Sequence, residues 1–249
     1  MPYINVDNIK TYYVASNFSD EKIPIIFIHG AGNTSHTWFN QLNLNIEKYF
    51  PLAIDLPGHG RSEGEGSDNI EGYSNFIYSF INKMDFKNVI LAGHSMGGAI
   101  VQDFSFKFPE IVTKIILVAT GAKLRVAQEI LENTKLGYSY NYLAYSNKTD
   151  NNIIKEAESE FSLTDPMVRY NDFIACNNFD MMDKIDQLEI PSLIIVGSDD
   201  ILTPLKYASF LRDKLKNSRL VVIDEAGHNV MWEKPKETNA AIISFLTDN

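Results

Sequence analysis

The feature that most constrains this chain is the short segment Gly93-His94-Ser95-Met96-Gly97-Gly98. It follows an apolar run at 89–92, which predicts a buried strand, and precedes apolar residues spaced three and four apart, which predict a helix. A serine at so sharp a strand-to-helix turn needs small residues two positions away on each side, and glycine meets that need. Its hydroxyl then lies at a helix N-terminus, where free backbone N–H groups favour negative charge. We therefore interpret Ser95 as a nucleophile; the alternative, a glycine-rich turn that holds a serine by chance, does not explain the flanking strand and helix.

Predicted strands and helices alternate along most of the chain. Apolar runs predict strands at 3–6, 10–15, 24–28, 52–54, 89–92, 114–118, 192–196 and 220–223. The first two are joined by Asp7-Asn8, a pair typical of turns, and predict an antiparallel hairpin. Helices are predicted between later strands, including one in which Trp38, Leu42 and Ile46 share a face. This alternation predicts an α/β fold with a mostly parallel, doubly wound sheet of about eight strands.

The alternation stops after Gly121. Between 122 and 187 we find no convincing strand, and helices are predicted at 125–133, 151–161 and 166–177. The chain thus divides into a core, residues 1–121 and 188–249, and a small helical cap, residues 122–187. Because the cap follows the carboxyl end of a predicted strand, we expect it to cover a site there. Some of its larger apolar side chains should line that site, from the set Tyr138, Tyr140, Tyr142, Tyr145, Phe161, Met167, Tyr170, Phe173, Phe179, Met181 and Met182.

Composition limits the classes of function. The 249 residues carry a formal net charge of −10, which argues against a nucleic-acid surface and against an anionic membrane as partner. The first residues lack the charged and apolar regions of a signal peptide, and no apolar run approaches the length of a membrane span. The single cysteine, Cys176, cannot form an intrachain disulfide. We therefore expect a cytoplasmic protein of unknown oligomeric state without membrane insertion.

No cofactor and no metal are expected. Gly30 and Gly32 follow a predicted strand, as in a dinucleotide-binding turn, but Ser35 occupies the position of the third glycine. The five histidines and Cys176 lack the spacing of zinc ligands. An oxidoreductase or a metalloenzyme is therefore disfavoured.

A serine nucleophile needs a base, usually a histidine that a carboxylate orients. His228 lies just after the last predicted strand, and loops that leave the carboxyl ends of parallel strands converge at one edge of the sheet. His228 and Ser95 can therefore meet, although a histidine in a surface loop is the alternative interpretation. Asp199 and Asp200 both follow the strand at 192–196, and both are candidates for the acid.

The chain resembles the α/β-hydrolase fold superfamily, in the esterase, lipase and C–C hydrolase branch that carries a helical cap. The matching segments, in the family's order, are His29-Gly30, Asp55-Leu56-Pro57-Gly58-His59-Gly60-Arg61-Ser62, the segment around Ser95, Gly197-Ser198-Asp199-Asp200 and Gly227-His228. The resemblance implies the α/β-hydrolase fold, and it selects Asp200 over Asp199, because the family's acid usually lies three residues after the glycine that ends this strand. It also implies an oxyanion hole formed by the backbone N–H groups of Ala31 and Met96.

These observations predict a serine hydrolase that cleaves carboxylic esters of small to medium acyl chain through an acyl-enzyme. Its triad is Ser95, Asp200 and His228, its partner is a small-molecule ester, and it needs no cofactor. Three alternatives stay open, since fold does not decide among them. In the first, the same triad cleaves a C–C bond, lactone, thioester or amide. In the second, the protein is a cofactor-free perhydrolase. In the third, it is a ligand receptor with negligible turnover.

Overall fold

An eight-stranded sheet forms the centre of the fold in the computed structural model, which describes residues 2–138 and 141–248. Its strands are β1 (Tyr3–Val6), β2 (Ile9–Ala15), β3 (Ile23–Ile28), β4 (Tyr49–Ile54), β5 (Val89–His94), β6 (Val112–Val118), β7 (Ser192–Gly197) and β8 (Ser218–Ile223). Their order across the sheet is β1-β2-β4-β3-β5-β6-β7-β8. β2 is antiparallel to β1 and β4, and the remaining neighbours are parallel. The predicted α/β fold with a mostly parallel sheet is confirmed.

The hairpin at the edge of the sheet forms as predicted. Asp7 and Asn8 have φ values of 48° and 67°, and Val6 faces Ile9 across the turn. Two successive residues with positive φ make a two-residue turn whose twist matches that of the flanking strands. Asp and Asn tolerate this conformation better than most residues, which is why the pair marks the turn.

Helices pack on both faces of the sheet. They are α1 (Ile70–Lys83), α2 (Met96–Lys107), α3 (Gln128–Lys135), α4 (Asn151–Phe161), α5 (Pro166–Asn178), α6 (Leu205–Lys214), α7 (Val230–Glu233) and α8 (Pro235–Thr247). Alternate residues of β3 belong to two different apolar clusters, because side chains of a strand alternate between its faces. Ile26 and Ile28 share a cluster with residues of α1 and α2, whereas Ile25 and Phe27 share one with residues of α8. The sheet is thus covered on both sides, as a doubly wound fold requires.

The predicted helix through Trp38, Leu42 and Ile46 is wrong. The structure has two short 3-10 turns instead, Ser35–Trp38 and Gln41–Asn43. Distant side chains bind the carbonyl groups that a helix would use: the indole N–H of Trp232 donates to Thr37 O at 2.6 Å, and the side-chain amide of Asn239 donates to Asn40 O at 3.2 Å. Trp38 is fully buried and packs on Phe27, with ring centroids 4.8 Å apart. The apolar spacing therefore reflects core packing rather than a helix.

The cap segment between β6 and β7 is helical. α4 begins at a cap in which the Asp150 side chain accepts the N–H of Asn152, and α5 begins likewise with Asp165 and Met167. Both helices lie within one residue of their predicted bounds. α3 begins at Gln128, later than predicted. The chain before it is held in another way: the Val126 N–H donates to the side chain of Asn177 (3.3 Å), and Lys123 forms a β-bridge with Asp180. The described ranges contain no helix long and apolar enough to cross a membrane.

Candidate active site

Ser95 lies at a sterically tight turn between β5 and α2. Its φ is 51° and its ψ −113°, an unusual conformation for a residue with a side chain. A Cβ on Gly93 would lie 2.1 Å from the carbonyl oxygen of Gly97, and a Cβ on Gly97 would lie 2.3 Å from that of Ile28. The turn is held by the Ser95 N–H, which donates to Val118 O at 2.9 Å. The two glycines are therefore needed for β3, β5 and α2 to approach this closely.

The loop after β3 fixes the peptide that carries the Ala31 N–H. The carbonyl of Gly30, in the same peptide unit, accepts the Nδ1–H of His29 (2.8 Å) and the N–H of Asn33 (3.2 Å). Because C=O and N–H point in opposite directions in a planar trans peptide, these bonds also aim the Ala31 N–H. Met96 opens α2, so its N–H has no acceptor within the helix. Both amides that the family resemblance assigns to an oxyanion hole are thus adjacent to well-defined turns.

His29 is held neutral, and this fixes its proton. Burial, followed by the charge of His59, lowers the pKa of His29 well below its usual value. The backbone N–H of Leu56 donates to its Nε2 at 3.1 Å, so Nε2 is the acceptor and the single ring proton lies on Nδ1. That proton is the one that binds Gly30 O.

Asp200 and His228 form a buried hydrogen-bonded pair. Asp200 follows β7, and its Oδ2 accepts the Nδ1–H of His228 at 2.9 Å and the hydroxyl of Thr203 at 2.8 Å. Its Oδ1 accepts the backbone N–H groups of Leu202 and Thr203, each at 2.9 Å. Burial favours the neutral acid, but the neighbouring His228 and these donors outweigh it and lower the pKa of Asp200 to about 2. An ionised Asp200 fixes the His228 proton on Nδ1 and leaves Nε2 as the acceptor.

Asp199 makes a different set of contacts. Its side chain is exposed and accepts the hydroxyls of Ser146, at 2.6 Å, and of Ser198, at 3.0 Å. Of the two adjacent aspartates, Asp200 therefore has the hydrogen bond to His228, and Asp199 bonds to the cap.

Sequence reasoning missed two residues that hold the His228 loop. The Nε2–H of His94, the residue before Ser95, donates to His228 O at 3.1 Å, and burial, ahead of the charge of His228, lowers the pKa of His94 to about 3. Glu233 accepts the N–H groups of Gly227 (3.0 Å) and of Ser146 in the cap (2.9 Å). No local sequence pattern marks either residue. Each bonds to backbone groups, which every residue has, and the bonds to His228 and Ser146 join segments that are distant in sequence.

Ser95 and His228 line the same cleft, whose volume is about 830 Å³ with the part open to solvent included. Ala31 also lines it, and so does Arg125 from the cap. The apolar part of its wall comes mainly from the cap, with Leu202 from the core. The apolar cap residues are Leu124, Val126, Ile130, Ala144, Phe161, Phe173 and Cys176.

We expected some of the large apolar cap residues to line the cleft, and Phe161 and Phe173 of that set do so. Tyr140 and the side chain of Tyr142 lie outside the described residues. Cys176 is buried, as its small apolar side chain favours.

A sheet of this order, with a serine on a glycine-flanked turn after β5 and an Asp–His pair after β7 and β8, defines the class of α/β hydrolases. Residues 25–241 match the alpha/beta hydrolase family, and the chain belongs to that family. It is therefore a hydrolase by family.

Solved structures and curated relatives agree with this assignment. The chain is 33% identical to a thermophilic esterase, over 98% of this chain and 96% of the other, with a TM-score of 0.82. It superposes on the enol-lactonase from Burkholderia xenovorans LB400 with a TM-score of 0.90, 18% identity and coverage of 99% and 100%, a likeness that shows the fold alone. Among curated proteins, it is 24% identical to the (E)-2-((N-methylformamido)methylene)succinate hydrolase of Acinetobacter baylyi, over 90% of each chain.

The position of the His228 proton is a testable consequence of the Asp200 contact. In Asp200→Asn the side-chain amide can donate to Nδ1, so we expect the ring proton to move to Nε2. Nitrogen-15 NMR of the histidine rings distinguishes the two tautomers. Asp199→Asn is the matched control and should leave the Nδ1–H signal unchanged. The assignment of the acid is wrong if Asp199→Asn moves the proton and Asp200→Asn does not.

Proposed function

We propose that the protein hydrolyses carboxylic esters of small to medium acyl chain through an acyl-enzyme, with Ser95 as nucleophile, His228 as base and Asp200 as the acid that orients it. The observation that carries the proposal is the shared cleft: Ser95 and His228 both line it, and the Asp200 bond to Nδ1 leaves Nε2 of His228 as the available base. The thermophilic esterase at 33% identity supports the same chemistry.

In the first half of the reaction the Ser95 hydroxyl attacks the ester carbonyl while His228 Nε2 accepts its proton. The negative oxygen of the tetrahedral intermediate is stabilised by the N–H groups of Ala31 and Met96, and by the N-terminus of α2. Asp200 stays ionised and stabilises the imidazolium that forms on His228. His228 then returns the proton to the leaving alcohol, and the acyl group stays on Ser95.

In the second half, water replaces the alcohol. His228 accepts a proton from the water as it attacks the acyl-enzyme, the same two amides stabilise the second oxyanion, and the free acid leaves. No step requires a cofactor. The apolar wall of the cleft is suited to an acyl or aryl group. A cytoplasmic location is part of this proposal, since the single cysteine is buried and unpaired.

A second candidate function is hydrolysis of an anionic substrate, such as a lactone, hemi-ester or C–C substrate that carries a carboxylate, by the same residues. Arg125 favours it: this exposed, positively charged residue lines the cleft with Ser95, whereas nearby Lys123 pairs with Asp180 and lies outside the cleft wall. The Acinetobacter baylyi relative is named as a hydrolase of a substituted succinate, and the structural neighbour as an enol-lactonase.

Arg125→Gln separates the two candidates. If the natural substrate is anionic, the variant should lose roughly tenfold in kcat/KM on a dicarboxylate hemi-ester and little on a neutral ester of equal length. Lys123→Gln is the control and should leave the ratio of the two rates unchanged. If the wild type cleaves both esters at equal rates and Arg125→Gln has no effect, the anionic-substrate candidate is wrong and neutral esters are the substrate class.

Removal of the nucleophile tests the proposal most directly. Ser95→Ala should reduce hydrolysis of p-nitrophenyl esters by several orders of magnitude, about 10⁶ if the triad acts as a unit, and should abolish labelling by a fluorophosphonate. The melting temperature should hardly change, because only a hydroxyl is removed. Ser159→Ala, at an exposed position of α4, is the control. Near-normal hydrolysis by folded Ser95→Ala protein would falsify the assignment.

The pH profile tests the base. A base must be neutral to accept a proton, so kcat/KM should rise with pH through a single ionisation between about pH 5 and 8, where imidazoles change charge. Asp200, whose pKa is lowered to about 2, stays ionised throughout this range and adds no second step. The measurement is kcat/KM for a soluble ester at constant ionic strength. A flat profile from about pH 5 to 9 argues against a histidine base.

Acyl length tests the substrate class. Each added methylene helps only while it finds apolar surface to bury, so kcat/KM should peak at short to medium chains. The cap surface should repel an anionic lipid interface, so no jump in rate is expected when the substrate forms droplets. Its acidic residues include Glu129, Glu132, Glu156, Glu158 and Glu160. A p-nitrophenyl ester series and a triglyceride emulsion provide the measurement; faster hydrolysis of long-chain emulsions than of short esters would indicate a lipase instead.

A further inference from the structure

Asp172 of the cap is a fully buried carboxylate that contacts three segments of the core. It lies on α5, and its side chain has no exposed surface. Its Oδ2 accepts the N–H of Gly32 and the Nε2–H of His59, both at 2.7 Å, and its Oδ1 accepts the hydroxyl of Tyr73. The three donors come from the loop after β3, the loop after β4, and α1. A buried charge is tolerated only with such partners, and a pair of this kind is weak evidence for stability alone.

The partners of His59 show that its ring is charged. Nε2 faces the carboxylate of Asp172, and Nδ1 faces Pro57 O at 3.0 Å. Both partners only accept hydrogen bonds, so both ring nitrogens must carry protons. Burial alone would lower the pKa of His59, but the charge and the hydrogen bond of Asp172 outweigh burial and raise it. Asp172 and His59 thus form an ion pair with no access to solvent.

Two sets of contacts lead from Asp172 to the peptide that carries the Ala31 N–H. The first is direct: the Asp172 carboxylate accepts the N–H of Gly32, which belongs to the peptide unit after that of the Ala31 N–H. The backbone of Gly32 is itself constrained, since its φ is +69° and a Cβ on it would lie 2.5 Å from the Phe161 ring. The second runs through rings: the His59 ring lies 4.7 Å from that of His29, and His29 holds Gly30 O. The second ends on the planar peptide unit whose other side is the Ala31 N–H, and the first ends on the peptide unit that directly follows it.

We propose that Asp172, although it lies in the cap, is a positioning residue that aims the Ala31 N–H at the oxyanion. The carboxylate fixes the peptide after Ala31 through Gly32, and its ion pair with His59 holds the ring against which His29 packs. The cap therefore contributes to transition-state stabilisation as well as to the walls of the cleft. The proposal rests on the proposed function, because the oxyanion belongs to the tetrahedral intermediates of that mechanism.

Asp172→Asn is the principal test, because asparagine has nearly the same shape but cannot be the counter-ion of His59. Loss of a whole oxyanion donor costs about 10² to 10³ in kcat, so a misaimed donor should cost roughly 10- to 100-fold. KM should change by less than about threefold, because the lost interaction belongs to the transition state. A trifluoromethyl ketone, which forms a tetrahedral adduct with a serine, should lose affinity in parallel with kcat, and the product acid should not. Unchanged kcat in folded Asp172→Asn protein overturns the proposal.

Glu156→Gln is the matched control. Glu156 is also a cap carboxylate in contact with a core histidine, His36, at 3.0 Å. That pair is partly exposed, and among the described residues no hydrogen bond joins His36 to the peptide of Ala31. We expect its kcat to stay within about twofold of wild type, as for other exposed pairs. An equal loss of kcat in both variants would mean that any weakened cap contact has this effect, and would overturn a specific role for Asp172.

Hydrogen exchange separates this proposal from the proposed function. In Asp172→Asn the amides of residues 30–33 should exchange at least about tenfold faster, while those of α2 stay protected. A wild-type protein that cleaves no ester would refute the proposed function, whereas unchanged exchange in residues 30–33 would refute the role of Asp172. If Asp172→Asn does not fold, His59→Gln serves instead, because it keeps an N–H donor for Asp172 and removes the ring that packs on His29. A kcat equal to wild type in that variant overturns the proposal.

Discussion

The site depends on one steric constraint, the close approach of β3, β5 and α2 at the turn that holds Ser95. Gly93 and Gly97 permit it, since a Cβ on either would lie within 2.3 Å of a backbone atom. Because β3 and β5 are neighbours in register, the loop that follows β3 must pass close to Ser95. The strained backbone of Ser95, of a kind that costs on the order of 1–3 kcal/mol, persists because its surroundings fix it. The hydroxyl of Thr120 donates to Ser95 O at 2.8 Å, which adds to that restraint.

The cap is joined to the loops of the candidate site by polar contacts as well as by apolar packing. Ala144 O accepts the N–H of His228 at 2.9 Å, the Ser146 hydroxyl donates to Asp199, and Asp172 holds Gly32. Hydrogen bonds are directional, whereas apolar contacts are not, so these contacts set positions rather than merely area buried. A shift of the cap would therefore change the geometry of the His228 loop and of the loop after β3, together with the width of the cleft.

The positions of Ser95, Asp200 and His228 could be predicted because each follows its own strand within a few residues, and parallel strands bring such loops to one edge. The hairpin at Asp7-Asn8 was equally local. The contacts of Asp172 with His59 and Gly32 could not be predicted, because these partners lie 113 and 140 positions before it in the sequence. Only the folded cap brings them together. The wrong helix at Trp38 has the same origin: the carbonyl of Thr37 binds an indole 195 residues away, which no local pattern reports.

Two buried Asp–His pairs among the described residues have opposite properties, and the second nitrogen of each ring explains the difference. Nδ1 of His228 bonds to Asp200, but the ring lines the cleft, so its other nitrogen is free to take and return a proton. Nδ1 of His59 faces a carbonyl and Nε2 faces Asp172, so the ring has no position from which a proton could leave without loss of a hydrogen bond. The charge and the hydrogen bond of Asp172 outweigh burial, raise the pKa of His59 and so keep this fully buried pair charged. The same two residue types thus serve two purposes. In the Asp200–His228 pair the ring lines the cleft and is suited to proton transfer. In the Asp172–His59 pair both ring nitrogens face acceptors, and the ring is a fixed structural charge.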